Sequence, residues 1–290
     1  MRLHLVDGTY ELFRAHYSKR PPHRAPDGSD KKATVALAFA MLALLHDEGE
    51  AVTHAAVAFD NPIRSFRNDL FDGYKTDEGV PPELLAQFDS AEEAVRALGM
   101  AVWSMRDFEA DDALATGAAR FAGEVEQVRI LTPDKDLGQC LRGTHVVQVD
   151  RRAKTVIDEE ALLRRRGIGP SSIPDLLALT GDDADGIPGL PGFGEKSASA
   201  LLAKFIHLDQ IPANPATWPA VRQAQRLAAT LEEHRADALL YRRLATLRTD
   251  APIGTLEDAR FLGVPRERFR ALCDALGSRD LRDRPRRWAS

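Results

Sequence analysis

Phe108-Glu109-Ala110-Asp111-Asp112-Ala113-Leu114 places three carboxylates within four residues, ahead of the alanine-rich run Ala113 to Phe121. The run reads as a buried helix, so the acids stand at its N-terminal end. There the helix dipole and unpaired backbone N–H groups favour negative charge by up to about 1 kcal/mol each. Two carboxylates about 4 Å apart repel by roughly 4 kcal/mol at an effective dielectric of about 20. Capping therefore offsets only part of the crowding. Either the acids splay into water or a cation sits among them. On this stretch alone, surface acids at a helix N-terminus account for the residues as well as a cation site does.

Further acids follow short apolar runs. Leu3 to Val6 leads into Asp7-Gly8, Ala55 to Phe59 into Asp60, and Val128 to Thr132 into Pro133-Asp134-Lys135-Asp136. Ala101 to Trp103 and Val146 to Val149 read as two more strands. Helical patterns separate them: one after Gly8, with Leu12 and Phe13 apolar and Arg14 beside them, then Ala33 to Leu45 and the amphipathic Leu84 to Leu98. Strands alternating with helices predict a mostly parallel sheet in an α/β domain. Ligands bind such sheets beyond the carboxyl ends of the strands. A single acid there is usually a turn residue or an N-cap. Repetition at several strand ends is poorly explained by capping alone. Oxygen ligands without His or Cys favour Mg²⁺ or Mn²⁺ over Zn²⁺.

From about Gly169 the pattern becomes helical. Thr180 to Gly189 carries Asp182, Asp183 and Asp185 in a turn. Gly189-Leu190-Pro191-Gly192-Phe193-Gly194-Glu195-Lys196-Ser197 then opens a helix over Ala198 to Phe205. The spacing is wrong for a P-loop, and no apolar strand precedes it. Such a turn still offers backbone N–H groups to a phosphate, or simply closes a helical hairpin. Leu201 to Leu247 reads as mostly helical. His207 and His234 read as surface residues without a partner, and Trp103, Trp218 and Trp288 as packing residues.

A length of 290 residues with 44% apolar content allows one large domain or two smaller ones with a proper core. Cys140 and Cys273 are far apart, which excludes a disulfide framework and points to a reducing compartment. The apolar run Ala33 to Leu45 falls short of the roughly 20 residues a bilayer span needs, and Met1 to Asp7 is too short for a signal peptide. A soluble, intracellular, cytoplasmic protein is expected. The net charge of −5 argues weakly against nucleic acid, yet Lys19 to Lys32 and Arg279 to Arg287 are strongly basic.

Taken together, Val6-Asp7-Gly8, Phe59-Asp60, Ser65-Phe66-Arg67, Gly73-Tyr74-Lys75, Glu109-Ala110-Asp111-Asp112, Thr132 to Asp136, Gly181 to Asp185 and Gly189 to Lys196 resemble the 5′→3′ exonuclease and flap-endonuclease family. That family includes the N-terminal nuclease domain of bacterial DNA polymerase I. The resemblance runs over roughly Leu3 to Leu256.

It implies a PIN-like α/β nuclease core over residues 1–168, with a helical arch at about 61–89. A helical duplex-binding part over 169–290 would follow, with a helix-turn-helix-type Gly-rich hairpin and a basic tail. It implies two divalent metal ions held by Asp7, Asp60, Glu109, Asp111, Asp112, Asp134, Asp136, Asp182 and Asp185. The first ion would take Asp7, Asp60, Glu109, Asp111 and Asp134, the second mainly Asp136, Asp182 and Asp185, with Asp112 acting through water. Lys75 would reach the scissile phosphate. Arg14, Arg67, Tyr74, Gly189, Gly192, Gly194, Lys196 and Ser197 would contact DNA, and the hairpin would bind a monovalent cation such as K⁺. The partners implied are DNA with 5′ flaps, nicks or ends, including RNA-primed ones, met by a monomer acting at the nucleoid. Three positions depart from the family's pattern: Gly186 stands where Asn is common, Cys140 where an aliphatic residue is usual, and Glu78 where Arg is frequent.

Other readings fit less well. A haloacid-dehalogenase-like phosphatase needs a strand-end Asp-x-Asp, and Asp7-Gly8-Thr9 lacks the second acid. PIN-type ribonucleases are shorter and lack the Gly-rich helical part. A catalytically weak DNA-binding module of the same family would have lost carboxylates that this chain keeps.

Overall fold

Parallel strands buried on both faces read as unbroken apolar runs, because helices cover both sides. The first two strands are of this kind. In the computed structural model, which describes Met1–Ser290, β1 (Arg2–Asp7) and β2 (His54–Asp60) are buried almost throughout. The chain divides into two compact units, Met1–Arg64 with Asp77–Thr132 and Thr249–Ser290, and Ser65–Thr76 with Pro133–Arg248. The segment Ser65–Thr76 is remote in sequence from the rest of its unit, so a linear reading of composition gives no sign of it.

The first unit is a parallel sheet with helical crossovers. After β1 come α1 (Gly8–His16) and α2 (Lys32–Leu45), then β2. Where one helix was expected over Leu84 to Leu98, there are two, α3 (Pro82–Leu85) and α4 (Phe88–Ala97). Gln87 sits at the break. It is buried, its Oε1 accepts from Thr34 N at 3.1 Å and Thr34 Oγ1 at 3.3 Å, and its Nε2 donates to Glu83 O at 3.0 Å. A buried amide must be satisfied, and these bonds tie it to α2 across 53 residues of sequence. Then follow β3 (Ala101–Met105), α5 (Ala110–Phe121) and β4 (Gln127–Leu131).

Within this unit β1 pairs in parallel with β2 and β4, and β2 with β3. Asp7 stands opposite Ala58, Val6 opposite Leu131, and Asp60 opposite Met105. All four strands therefore finish at one edge. Trp103 is buried among them. A helix over Arg266–Leu276 closes the unit, and Trp288 packs edge-on against its Phe269.

The second unit opens with a four-residue 3₁₀ turn, Phe66–Asp69. The expected arch over 61–89 is thus turns and two very short helices before α4, with no long helix. After a 3₁₀ stretch, Lys135–Cys140, come the antiparallel pair β5 (Val146–Asp150) and β6 (Thr155–Ile157). β6, Thr155-Val156-Ile157, is β-branched throughout but only three residues long and largely exposed, too short to show an alternating pattern. Helices α6 (Glu159–Arg166), α7 (Ile173–Thr180), α8 (Glu195–Phe205), α9 (Ala224–Glu233) and α10 (Arg235–Ala245) complete the unit. Its apolar core includes Tyr74, Leu176, Phe193, Leu201, Trp218 and Leu244. The architecture is a mostly parallel sheet flanked by helices, with a helical C-terminal part, as expected. No helix is long and apolar enough to cross a membrane.

Candidate active site

In the first unit the acids close the sheet edge and the start of α5. Asp7 caps α1: its Oδ1 accepts from Tyr10 N at 2.8 Å, and its Oδ2 from Thr132 Oγ1 at 3.0 Å. The Asp60 backbone N–H donates to Thr9 Oγ1 at 2.8 Å, and its carboxylate accepts from Ala110 N at 2.7 Å. That N–H is one of those a helix leaves unpaired at its N-terminus. Glu109 is the N-cap of α5 and buried, and Asp111 is half-buried in the first turn. Asp112 is fully buried and accepts from Glu109 N at 3.0 Å. Asp7 is thus an N-cap, as a strand-end acid commonly is, whereas Glu109 and Asp112 are buried and not surface acids, and their hydrogen bond stiffens the carboxylate frame.

The second unit holds a tighter set. Asp134 caps the 3₁₀ stretch, its Oδ1 accepting from Asp136 N at 2.9 Å. Carboxylate oxygens of Asp136, Asp182 and Asp185 lie within 4.8 Å of one another. The turn carrying the last two is closed by reciprocal bonds between Asp182 and Ile187, at 2.7 and 2.9 Å. Two lysines reach in: Lys135 Nζ lies 2.9 Å from Asp182 Oδ2, and Lys75 Nζ 2.8 Å from Asp185 Oδ1. Asp136 is 4% exposed and its Oδ1 has no hydrogen-bond partner. Burial, and then the charges of Asp134, Asp185 and Asp182, push its carboxyl well above the usual carboxylate range. An all-oxygen donor set with one buried, unsatisfied carboxylate oxygen suits a hard divalent cation.

Two family models match the chain: the 5′-3′ exonuclease N-terminal resolvase-like domain over residues 2–167, and the 5′-3′ exonuclease C-terminal SAM fold over residues 168–267. The chain belongs to the 5′-3′ exonuclease family. It is 34% identical over 281 residues to DNA polymerase I of Bacillus caldotenax, covering 95% of this chain and 31% of that protein. With DNA polymerase I of Pseudomonas aeruginosa it shares 35% over 270 residues, 90% of this chain and 29% of the relative. The chain thus spans about a third of the length of these relatives. Among solved structures, T5 5′-exonuclease with divalent zinc ions bound superposes with a TM-score of 0.67 at 18% identity, over 97% of this chain and 98% of that one. The catalytic core of Rad2 in complex with a DNA substrate gives 0.59 at 17%, over 95% and 88%. At these identities the likeness shows the fold.

Within this exonuclease fold, two of the expected DNA contacts depart from expectation. Arg67 is 1% exposed. Its Nε donates to Leu244 O at 2.7 Å, an Nη to Thr246 O at 3.2 Å, and its guanidinium lies 4.7 Å from the Phe66 ring centre. A guanidinium spent on backbone carbonyls holds a loop to α10 and does not present itself to a phosphate. Tyr74, 3% exposed, is a core residue. Arg14 is partly exposed and pairs with the buried Glu11.

At the Gly-rich hairpin, a Cβ on Gly189 would stand 2.3 Å from Gly181 N, so that glycine is needed for close backbone packing. Gly194 is the N-cap of α8, and Ser197 Oγ accepts from Gly194 N at 3.1 Å and donates to Gly194 O at 2.9 Å. Gly192, Gly194, Lys196, Ser197 and Arg222 line a cavity of 730 Å³, and Lys196 is exposed.

The histidines also need correction. His207 Nδ1 lies 2.9 Å from Oδ2 of the buried Asp175, and His234 Nδ1 lies 3.1 Å from Asp237 Oδ2. The second pair has an i,i+3 spacing that the sequence displays; the first spans 32 residues. Lys135 stands in the sequence between two motif acids, and a lysine in that position is itself a signal.

Proposed function

We propose that the chain is a structure-specific 5′→3′ exonuclease and flap endonuclease that hydrolyses DNA phosphodiester bonds with two divalent metal ions, Mg²⁺ or Mn²⁺, in processing 5′ ends during replication and repair. Family membership supports the reaction class. The observation that carries the metal chemistry is the Asp136, Asp182 and Asp185 set, with its unpartnered buried oxygen. Its preferred DNA would carry 5′ flaps, nicks or ends; the T5 flap endonuclease bound to DNA and metal ions, and Rad2 bound to a DNA substrate, support DNA as the partner. Asp136, Asp182 and Asp185 would hold one ion. Asp7, Asp60, Glu109 and Asp111 would hold the other. Such ions, when bound, activate water and neutralise charge on the phosphate and the leaving oxygen.

The chain's own residues do the rest. Hydrogen bonds from Tyr10, Thr132 and Ala110 fix Asp7 and Asp60 before any ligand arrives, which limits reorganisation during the reaction. Lys75, on a backbone bonded to Asp185 O at 3.0 Å, supplies a positive charge for the scissile phosphate. Gly192 and Lys196 would offer an N–H group and a charge to the duplex backbone, beside Gly194, whose own N–H is held by Ser197 Oγ, and a K⁺ ion is also proposed there. We propose that it acts as a monomer.

The test is cleavage of end-labelled flap and nicked duplexes, with Mg²⁺, Mn²⁺ or EDTA. Metal-dependent release of 5′ products supports the reading. Tight binding of both duplexes without cleavage would instead show a DNA-binding module.

A further inference from the structure

The two lysines at the second unit's carboxylates do different things. At full ionisation Asp134, Asp136, Asp182 and Asp185 bring four negative charges, and Lys75 and Lys135 return two. Lys75 is assigned to the phosphate. Lys135 has no such task, yet it is placed with care. It lies between Asp134 and Asp136 on the same 3₁₀ stretch, half in solvent, and its ammonium reaches across to Asp182 Oδ2 at 2.9 Å. The other oxygen of Asp182 accepts from Ala184 N at 3.1 Å, a backbone donor fixed inside the turn. Both Asp182 oxygens thus already have a donor, and an ion that takes Oδ2 meets the Lys135 ammonium there. Asp136 Oδ1, by contrast, has no partner.

We infer that Lys135 is a resident counter-cation of Asp182, which keeps the Asp136, Asp182 and Asp185 set assembled without metal and competes with the divalent ion for it. The inference rests on the proposed metal reading of that set. Three consequences follow. An ion has an open contact at Asp136 but must displace or share Lys135 to gain Asp182. Removing the lysine charge removes that competition and a repulsion felt by the ion. It also leaves Asp182 of the metal-free protein without the cation that compensates it, with Lys75 alone remaining at the set.

The experiment titrates the full chain with Mn²⁺, following free Mn²⁺ by electron paramagnetic resonance, and records melting temperatures in EDTA and in Mn²⁺. Asp136→Asn serves to isolate the Mn²⁺ bound by this set. Lys135→Met, which keeps the length of the side chain, is expected to tighten that Mn²⁺ affinity by about tenfold, as loss of a unit charge within a few ångströms warrants. It should also lower the melting temperature in EDTA, with the deficit vanishing in Mn²⁺. Lys135→Arg keeps the charge and should stay near wild type in both. Unchanged or weaker Mn²⁺ binding by Lys135→Met, against a wild type that does bind at this set, overturns the counter-cation role. Wild type and Asp136→Asn binding Mn²⁺ identically would remove the ion from this set, and with it the metal reading itself.

Discussion

Gly186 gives the most demanding mutational test. It follows Asp185 directly, with φ of +72°, and a Cβ built on it would stand 2.2 Å from Gly73 O. An ordinary carbon–oxygen contact is over 3 Å, so the 73–75 backbone would have to retreat by about 1 Å. That backbone donates Lys75 N to Asp185 O at 3.0 Å and carries the Lys75 ammonium to Asp185 Oδ1 at 2.8 Å. For Gly186→Ala the left-handed conformation costs about 1–2 kcal/mol, and a weakened hydrogen bond about 1 kcal/mol more. A loss of about 2–3 kcal/mol in unfolding free energy is expected. Misplacing a catalytic cation by about 1 Å can cost up to about 100-fold in rate. Gly186→Asn separates the two causes, because Asn tolerates this φ yet carries the same Cβ. The assay is urea unfolding together with kcat on a 5′-flap duplex. Asn should recover about 1 kcal/mol of stability relative to Ala and remain as impaired as Ala in kcat. An Asn variant with wild-type kcat would refute the clash with Gly73, and it is the informative outcome because the related family often carries Asn here.

Three other outcomes are expected. Arg67→Met should cost about 3 kcal/mol in stability, since two backbone carbonyls lose their donors, and should leave DNA affinity, measured by anisotropy, unchanged in the folded fraction. Lys196→Ala should weaken duplex binding regardless of sequence and lower the salt slope of log K by about one; an unchanged slope would make the hairpin a structural turn. Glu50 accepts from His4 Nε2 at 3.0 Å and from Arg129 Nε at 2.6 Å, and these partners hold its carboxyl down at about 2. A depressed folded value means the stabilisation is complete above the ordinary value near 4.5 and disappears as pH falls towards 2. The stability gap between wild type and Glu50→Gln, from urea melts, should therefore shrink by about 2–3 kcal/mol over that window. A constant gap would deny the shift.

The parallel sheet was legible because its buried strands are apolar runs, each crossover carries a helical pattern, and Asp7 and Asp60 end their strands as read. Glu109, Asp111 and Asp112 fall at the start of α5 for the same reason. What escaped depends on partners distant in sequence. Gln87 breaks a helix because Thr34 is 53 residues away, and Arg67 is buried because the carbonyl of Leu244 is 177 residues away. An isolated Ser-Phe-Arg looks like a phosphate contact. Only the fold shows which acceptor the guanidinium has already found. Lys135 likewise reads as a spacer until Asp182 is brought to it.

On the proposed function, carboxylates in both units work through divalent metal. The direct measurement is single-turnover cleavage of a 5′-labelled flap duplex by wild type, Asp111→Asn and Asp136→Asn, in Mg²⁺ and in EDTA, with folding checked by circular dichroism. Cleavage by wild type in Mg²⁺ alone, with both variants folded and at least about 100-fold slower, is the predicted result. Full activity in EDTA, or in either variant, would contradict the account.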